Sequence, residues 1–322
     1  MSVQSAVRRR PLEFYEGTFA HDVIEGLTAR PKRLAPKYFY DEEGSRLFDE
    51  ITRLPEYYPT RCELSILAAH ATDIARLLPI ETALIEFGSG STRKARLLLD
   101  AAPAIAAYVP VDISANWLSA EAAQLSADYP RLKVLPIAAD FTQSFRLPPS
   151  LSSLARTGFF PGSTIGNFEA HQACAFLQHA ARILGPEALL IVGVDLVKEP
   201  SILNAAYDDA AGVTAKFNLN ILARINRELG ADFDLTRFCH QAFYNRERSR
   251  IEMHLASLVR QRVHVCGRNI DFRAGETIHT ENSYKYTVDS FGALARGCGW
   301  APVAVWTDAD NYFSVQALRA IK

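Results

Sequence analysis

The sequence predicts an α/β fold: a mostly parallel sheet closed by a C-terminal antiparallel hairpin, with a smaller α+β unit that precedes and interrupts it. Three observations predict this. Between residues 82 and 197, short apolar runs alternate with helical stretches of ten or more residues, the rhythm of βαβ units. Several of those runs end in glycine or acidic residues. The alternation then stops for roughly ninety residues, the size of a small domain, before a helix and two strands resume it.

Each element follows from local pattern. Residues 21–27 and 45–54 read as short amphipathic helices, with Pro31, Pro36, Pro55 and Pro59 breaking the chain between them. Over 61–78, Leu64, Leu67, Ala71, Ile74, Ala75 and Leu78 recur at helical spacing. The strands of the sheet are expected at 82–87, 108–113, 132–138, 158–165 and 188–194. The helices are expected at 94–102, at 114–127 with Ser114 as N-cap, and at 170–184. Residues 201–230 read as largely helical. The charged run 243–250 reads as a solvated, salt-bridged surface, and 251–265 as a strand pair. Residues 288–296 read as a helix, and 303–306 with 313–318 as the closing hairpin. The expected division is 61–197 with 287–322 for the sheet domain, and 9–60 with 198–286 for the second unit.

Composition narrows the function. The 322 residues carry 35 basic and 36 acidic side chains, a net charge of −1, which argues against a dedicated nucleic-acid binder. Cys62, Cys174, Cys239, Cys266 and Cys298 are odd in number and scattered, so neither a disulfide framework nor a cysteine zinc site is expected. No apolar run follows Arg8, Arg9 and Arg10, and the most apolar stretch, 188–197, contains Asp195 and is too short to span a bilayer. A cytoplasmic, soluble, monomeric protein without a membrane or nucleic-acid partner is expected. The histidines show no H-E-x-x-H, and no metal site is expected.

In open α/β sheets, ligands sit beyond the C-terminal strand ends. The first strand ends in Glu86-Phe87-Gly88-Ser89-Gly90. The second ends in Asp112, about 20 residues after Gly90, where a carboxylate grips ribose hydroxyls. The third leads to Asp140 and Phe141, suited to an adenine amino group and the face of the base. Taken singly, each reads as a turn, a cap or a strand end. Together they read as a Rossmann-like nucleoside edge. Arg93 stands where a dinucleotide fold wants its third glycine, and no G-K-[ST] follows. The E-x-G-x-G turn suits S-adenosylmethionine, whose ammonium a carboxylate such as Glu86 neutralises and whose carboxylate Lys94 can hold. A nicotinamide-dependent oxidoreductase is the rival on the same sheet.

Candidate substrate residues are less legible. Gly162 to Asn167 end the fourth strand facing the methyl donor, and Asn167 offers both donors and acceptors. Residues 207–209 and 280–283, by composition alone, read as turns or caps.

The segments P-K-Y-F-Y-D-E-E-G-S (36–45), L-P-E-Y-Y-P-T-R (54–61), E-F-G-S-G-S-T-R-K (86–94), G-S-T-I-G-N (162–167), D-L-V-K (195–198), A-Y-D-D-A-A-G-V-T-A-x-F-N (206–218), N-R-E-L-G-A-D-F (226–233) and I-E-M (251–253) resemble the histidine N-alpha-methyltransferases of ergothioneine biosynthesis. The resemblance runs from about residue 19 to 318. It implies an S-adenosylmethionine methyltransferase sheet and trimethylation of the alpha-amine of L-histidine to hercynine. It also implies Gly88, Gly90 and Lys94 at the methionine moiety, Asp112 at the ribose, and Asp140 with Phe141 at the adenine. Gly162, Asn167 and Tyr207 fall to the substrate's amino-acid head, and Tyr57 to the ring's neighbourhood. Tyr40, Glu281 and Ser283 fall to imidazole recognition, with Met253 lining the same pocket. Tyr40 and Asn167 are the expected catalytic residues. A fungal relative acting on a tryptophan derivative leaves another amino acid as the alternative substrate.

Overall fold

The computed structural model of the chain describes residues 18–321. The expectations for 9–17, and for the arginines at 8–10, lie outside the described residues. The main sheet runs in space Trp300–Thr307, Phe313–Ala320, Leu189–Asp195, Ala155–Phe160, Thr82–Phe87, Ile105–Asp112, Lys133–Val134, with Ile137–Ala138 pairing further along Ile105–Asp112. All pairs are parallel except those made by Phe313–Ala320, so the sheet is mostly parallel and closed by an antiparallel hairpin. Strand order reverses between Thr82–Phe87 and Ala155–Phe160. Such a reversal opens a ligand crevice at the C-terminal strand ends.

Every residue of Thr82–Phe87 is buried, as both faces of a parallel strand require. Tyr58–Leu77 and Arg93–Ala101 cover one face through Ile66, Leu67, Ile74, Ala95 and Leu98. Ala170–Leu184 and Val288–Gly297 cover the other through Ala173, Phe176, Leu177, Phe291 and Ala295. A third core lies outside this sheet. It gathers Phe19–Thr28, Glu42–Ile51, Pro200–Tyr207 and Val213–Leu229 against a four-stranded sheet ordered Lys32–Arg33, Thr277–Tyr284, Arg250–Ser257, Phe238–Asn245.

Several expectations change. The strand at 132–138 is two short pieces, because Pro136 has no N–H for the ladder. The strand at 158–165 starts at Ala155 and stops at Phe160, where Pro161, Gly162 (φ +81) and Ser163 (φ 56) turn the chain into a 3-10 segment, Thr164–Asn167. Ser114 holds the N-cap position without a capping side-chain bond; its hydroxyl instead donates to the Tyr40 carbonyl at 3.3 Å. Residues 251–265 are not a strand pair. Arg250–Ser257 lies between Phe238–Asn245 and Thr277–Tyr284, while Gln261–Val265 pairs with Arg268–Phe272 through a tight turn at Cys266 (φ 48) and Gly267 (φ 75). The charged run is a solvated surface at Arg246 to Arg248 only. Arg250 is buried, bonded to Glu169 at 2.6 Å and Glu252 at 2.8 Å.

The cysteine expectation is also corrected. Cys174 and Cys298 form a disulfide, because the helix Ala170–Leu184 packs beside the end of Val288–Gly297 and brings distant positions together. Cys62, Cys239 and Cys266 are free. Among the described residues, no helix is long and apolar enough to cross a membrane.

The two units meet where Thr164–Asn167 presses on Thr277–Tyr284. A Cβ at Gly166 would lie 2.8 Å from the Tyr284 carbonyl oxygen, so only glycine permits this approach. Gly166→Ala should cost about 1–3 kcal/mol, as overpacking does, and lower Tm. An unchanged melting curve would contradict this account of the contact.

Candidate active site

The expected cofactor residues collect along one edge. The Gly88 amide donates to the Val111 carbonyl at 2.8 Å, and Asp112 pairs in register with Ala138, two residues before Asp140. The first two strand tips are thus stitched together, and the third is adjacent. Gly88 turns with φ +75, and a Cβ there would meet the Phe141 ring at 3.3 Å. Phe141 therefore lies against the glycine turn, with Phe160 and Phe176 at its edges. Nothing lies within 4 Å of where a Cβ on Gly90 would stand, so this side of the turn is open to a ligand.

The acidic residues differ in setting. Glu86 is 1 % exposed and accepts from the Tyr108 phenol, which also bonds Ser89. Burial pushes its carboxyl up to about 8, against the lowering effect of that phenol. Asp112 is raised by burial, with hydrogen bonds from Ser114 opposing. Its Oδ1 accepts from the Ser114 amide at 2.8 Å. Asp140 accepts from the Thr142 amide at 2.9 Å, and the Lys37 ammonium lies 3.9 Å away.

Lys94 is paired. Its Nζ lies 2.6 Å from Glu63, a fully buried carboxylate that also accepts from the Gly162 amide at 2.9 Å. Glu63 fits because residue 193 is glycine; a Cβ there would stand 2.1 Å from its carboxylate. Sequence reasoning missed Glu63. Its signal is a lone acid on the apolar face of a helix, in line with Thr60 and Leu67.

A small cavity opens beside this edge. It brings together Tyr40, Tyr57, Tyr207, Met253 and Glu281, with Phe48, Ile51, Ala206, Thr214 and Phe217 completing the wall. Tyr40 joins the two regions: burial raises its phenol well above its usual range, and the charges of Glu281 and Asp112 both add to the rise. Ser283 lies behind the wall, bonded to the Tyr207 hydroxyl at 2.7 Å. Gly162 and Asn167 lie in the turn after Ala155–Phe160. Gly162 is exposed beside Lys94, Asn167 is half-buried, and neither lines this cavity.

A β-bulge decides what faces the cavity. His279 pairs with His254, but Glu281 pairs with Met253, leaving Thr280 as the extra residue. Thr280 is held there by donating its hydroxyl to the Met253 carbonyl at 3.0 Å. In unbroken register, Thr280 would oppose Met253, and Glu281 and Ser283 would turn to the outer face. Burial pushes the Glu281 carboxyl up to about 7, with Lys285 opposing.

Lys285 was also missed. It is 2 % exposed, and its Nζ lies 2.6 Å from Asp195, 2.7 Å from Ser283 and 3.1 Å from Tyr207. Its sequence signal is the period-two row Glu281, Ser283, Lys285 on the core face of a strand. Asp195 further accepts from Lys198 at 2.6 Å and from Tyr58 at 2.8 Å. Burial alone would raise Asp195; the Lys285 and Lys198 ammoniums overcome it and hold the carboxyl below its usual range.

On the outer face of the same strands, Glu252, His254 and His279 place ligand-type atoms within 4.8 Å of one another. The Arg250 guanidinium already occupies Glu252 at 2.8 Å, and burial lowers both imidazoles.

Thr280→Val removes the hydroxyl that holds the bulge and should let Glu281 slip towards the outer face. The expected result is L-histidine binding weakened about three- to tenfold, with S-adenosylmethionine affinity held, read by calorimetry. Unchanged histidine binding in that variant would contradict the register argument.

Known proteins resemble the chain along nearly its whole length. Residues 19–320 match a family described as "Histidine-specific methyltransferase, SAM-dependent". Histidine N-alpha-methyltransferase from Mycolicibacterium smegmatis is 43 % identical over 299 residues, covering 91 % of this chain and 92 % of that protein. Ergothioneine biosynthesis protein 1 from Neurospora crassa is 32 % identical over 302 residues, 88 % of this chain and 32 % of that longer protein. Among solved structures, the CcbJ methyltransferase from Streptomyces caelestis aligns over 88 % of this chain and all of its own, at 17 % identity and a TM-score of 0.49. The family match over residues 19–320 and the Mycolicibacterium relative show that the chain belongs to the histidine-specific, S-adenosylmethionine-dependent methyltransferases.

Proposed function

We infer that the chain transfers methyl groups from S-adenosylmethionine to the alpha-amine of L-histidine, three times, giving hercynine. The observation that carries this reading is a carboxylate, Glu281, set by a bulge into an otherwise aromatic and aliphatic cavity. Glu281 is the only carboxylate in the cavity lining among the described residues, and it gives an imidazole N–H a charge-assisted acceptor. An indole or phenyl ring would leave that carboxylate poorly matched.

The residues present fit the cofactor. The Gly88 turn, with the open side of Gly90, suits its methionine moiety, the Asp112 tip its ribose, and Lys94, pinned by Glu63, its carboxylate. When bound, it supplies a methyl group already activated by a sulfonium. The chain's own task is orientation and exclusion of water. Tyr40 lines the cavity and feels the charges of both Asp112 and Glu281, which suits a residue close to both donor and acceptor. Burial holds the phenols of Tyr40, Tyr57 and Tyr207 well above their usual range, so they stay protonated at neutral pH. Tyr40 and Tyr57 orient the amine by hydrogen bonds, and none of the three acts as a phenolate base. Their rings, with Phe48, also offer π faces to the growing methylammonium. Asn167, at the turn between the two units, is the proposed partner of the amino-acid head.

The reading needs no metal. It treats 61–197 with 287–322 as the cofactor unit and 9–60 with 198–286 as the substrate unit, supported by their separate cores. We place the enzyme in the cytoplasm as a monomer, where its free amino-acid substrate would be met.

Glu281→Ala should raise KM for histidine about ten- to a hundredfold and leave cofactor affinity intact, the loss expected for one charge-assisted bond. A matching pH test follows. Glu281 is ionised above about 7 and neutral below, so histidine affinity should fall as pH drops through that value. Glu281→Gln has no such proton to take up and should show a flatter profile. The substrate titrates alike in both, so parallel profiles would contradict the assignment. Mass spectrometry of a histidine reaction beside a tryptophan control tests the activity itself.

A further inference from the structure

We propose that Lys285 is a positioning residue that fixes the direction of hydrogen bonding through Ser283 and Tyr207, so that Tyr207 presents a donor to the substrate carboxylate. This rests on the histidine reading above and deepens it.

An ammonium has three donors and no acceptor. Those of Lys285 are aimed at three oxygens: Asp195 Oδ2 at 2.6 Å, Ser283 Oγ at 2.7 Å and Tyr207 OH at 3.1 Å. Both hydroxyl oxygens are therefore acceptors towards Lys285. They also stand 2.7 Å from each other, so one of their two protons lies between them. One proton remains, and geometry decides whose it is. Ser283 is 3 % exposed and has no acceptor other than Tyr207 among the described residues. Tyr207 lines the cavity. Ser283 thus donates to Tyr207, and the Tyr207 proton is the free one, aimed at the cavity.

The polarity runs from Lys285 through Ser283 to Tyr207 and into the site. It complements an acceptor-only group, the carboxylate of a free amino acid. Without Lys285 the order can reverse: Tyr207 then donates to Ser283 and faces the substrate with lone pairs only. The same ammonium is anchored on Asp195, at the end of a strand of the cofactor sheet, so the donor is held in register with that sheet.

The test uses the full chain saturated with S-adenosylhomocysteine, titrated calorimetrically with L-histidine and with L-histidinol, which lacks the carboxylate. Four proteins are compared: wild type, Lys285→Met, Tyr207→Phe and the double variant. Wild type should prefer histidine. Each single variant should weaken histidine about tenfold and histidinol little, and hold S-adenosylhomocysteine affinity within about twofold. In the double variant, Lys285→Met should add less than about twofold to the loss already caused by Tyr207→Phe, because it acts through that hydroxyl. Additive losses, or an undiminished preference for histidine in Lys285→Met, would overturn the proposal. Should Lys285→Met not fold, Tyr207→Phe decides: a retained histidine preference overturns it, and its loss supports it. A wild type that binds neither ligand would instead refute the histidine reading.

Discussion

The buried carboxylate of Asp195 is the constraint on which the arrangement depends. It sits at the end of Leu189–Asp195, 1 % exposed, and three further segments of the chain converge on it. Tyr58 comes from the start of a helix, Lys198 from the following turn, and Lys285 from the strand that carries Glu281. Desolvating one carboxylate and two ammoniums costs several kcal/mol per ion, which only tight mutual geometry offsets. Bonds of 2.6 Å to both lysines meet that condition. The backbone reinforces them: the Tyr286 amide donates to the Asp195 carbonyl at 3.0 Å, and the Val197 amide to the Tyr286 carbonyl at 2.9 Å. The cofactor sheet and the substrate wall are thereby locked in register.

This lock lets the cavity hold opposing demands. Its lining is mostly aromatic and aliphatic, which raises every titratable group in it. Three phenols remain neutral donors. At Glu281 the Lys285 charge opposes the rise. The result is a carboxyl poised near neutrality in an aromatic box. In the proposed reading, that carboxyl holds the imidazole, and the aromatic faces accommodate an amine whose charge becomes permanent as methyl groups are added.

Much of the cofactor edge was legible in the sequence because it is local. Glu86, Gly88, Gly90, Asp112 and Asp140 mark strand ends, and strand ends follow from short-range pattern. The closing hairpin was legible for the same reason, with its turn inside a few residues. The substrate wall was not legible from pattern. Thr280 to Ser283 read as a turn and is instead a buried strand, and the strand Phe238–Asn245, which runs into the charged run 243–250, was not expected. Their identity depends on partners far along the chain. Glu63 and Lys285 were missed because a charge on a core face looks like a solvated one until its partner is known. Cys174 and Cys298 met through helix packing that spacing does not encode. The resemblance to a family supplied Tyr40, Tyr57, Tyr207, Met253 and Glu281 where pattern did not.

The bulge at Thr280 shows why identity alone does not set specificity. A strand alternates its side chains, so a slip of one residue exchanges the faces completely. Here one face of Thr277–Tyr284 holds Glu281 and Ser283 towards the cavity, and the other turns His279 and Asn282 towards Glu169 and Glu252. Both faces are polar, so hydrophobic pattern by itself selects neither register. The choice rests on discrete contacts: the Thr280 hydroxyl on the Met253 carbonyl, Lys285 on Asp195, and Arg250 with Tyr284 and Asn282 on Glu169. The contacts on the outer face therefore serve the site on the inner one. An outer pair such as Arg250 and Glu169 touches no substrate, yet it opposes the slip that would carry Glu281 out of the cavity. In the proposed reading, substrate choice follows from strand register, held from both sides of the sheet.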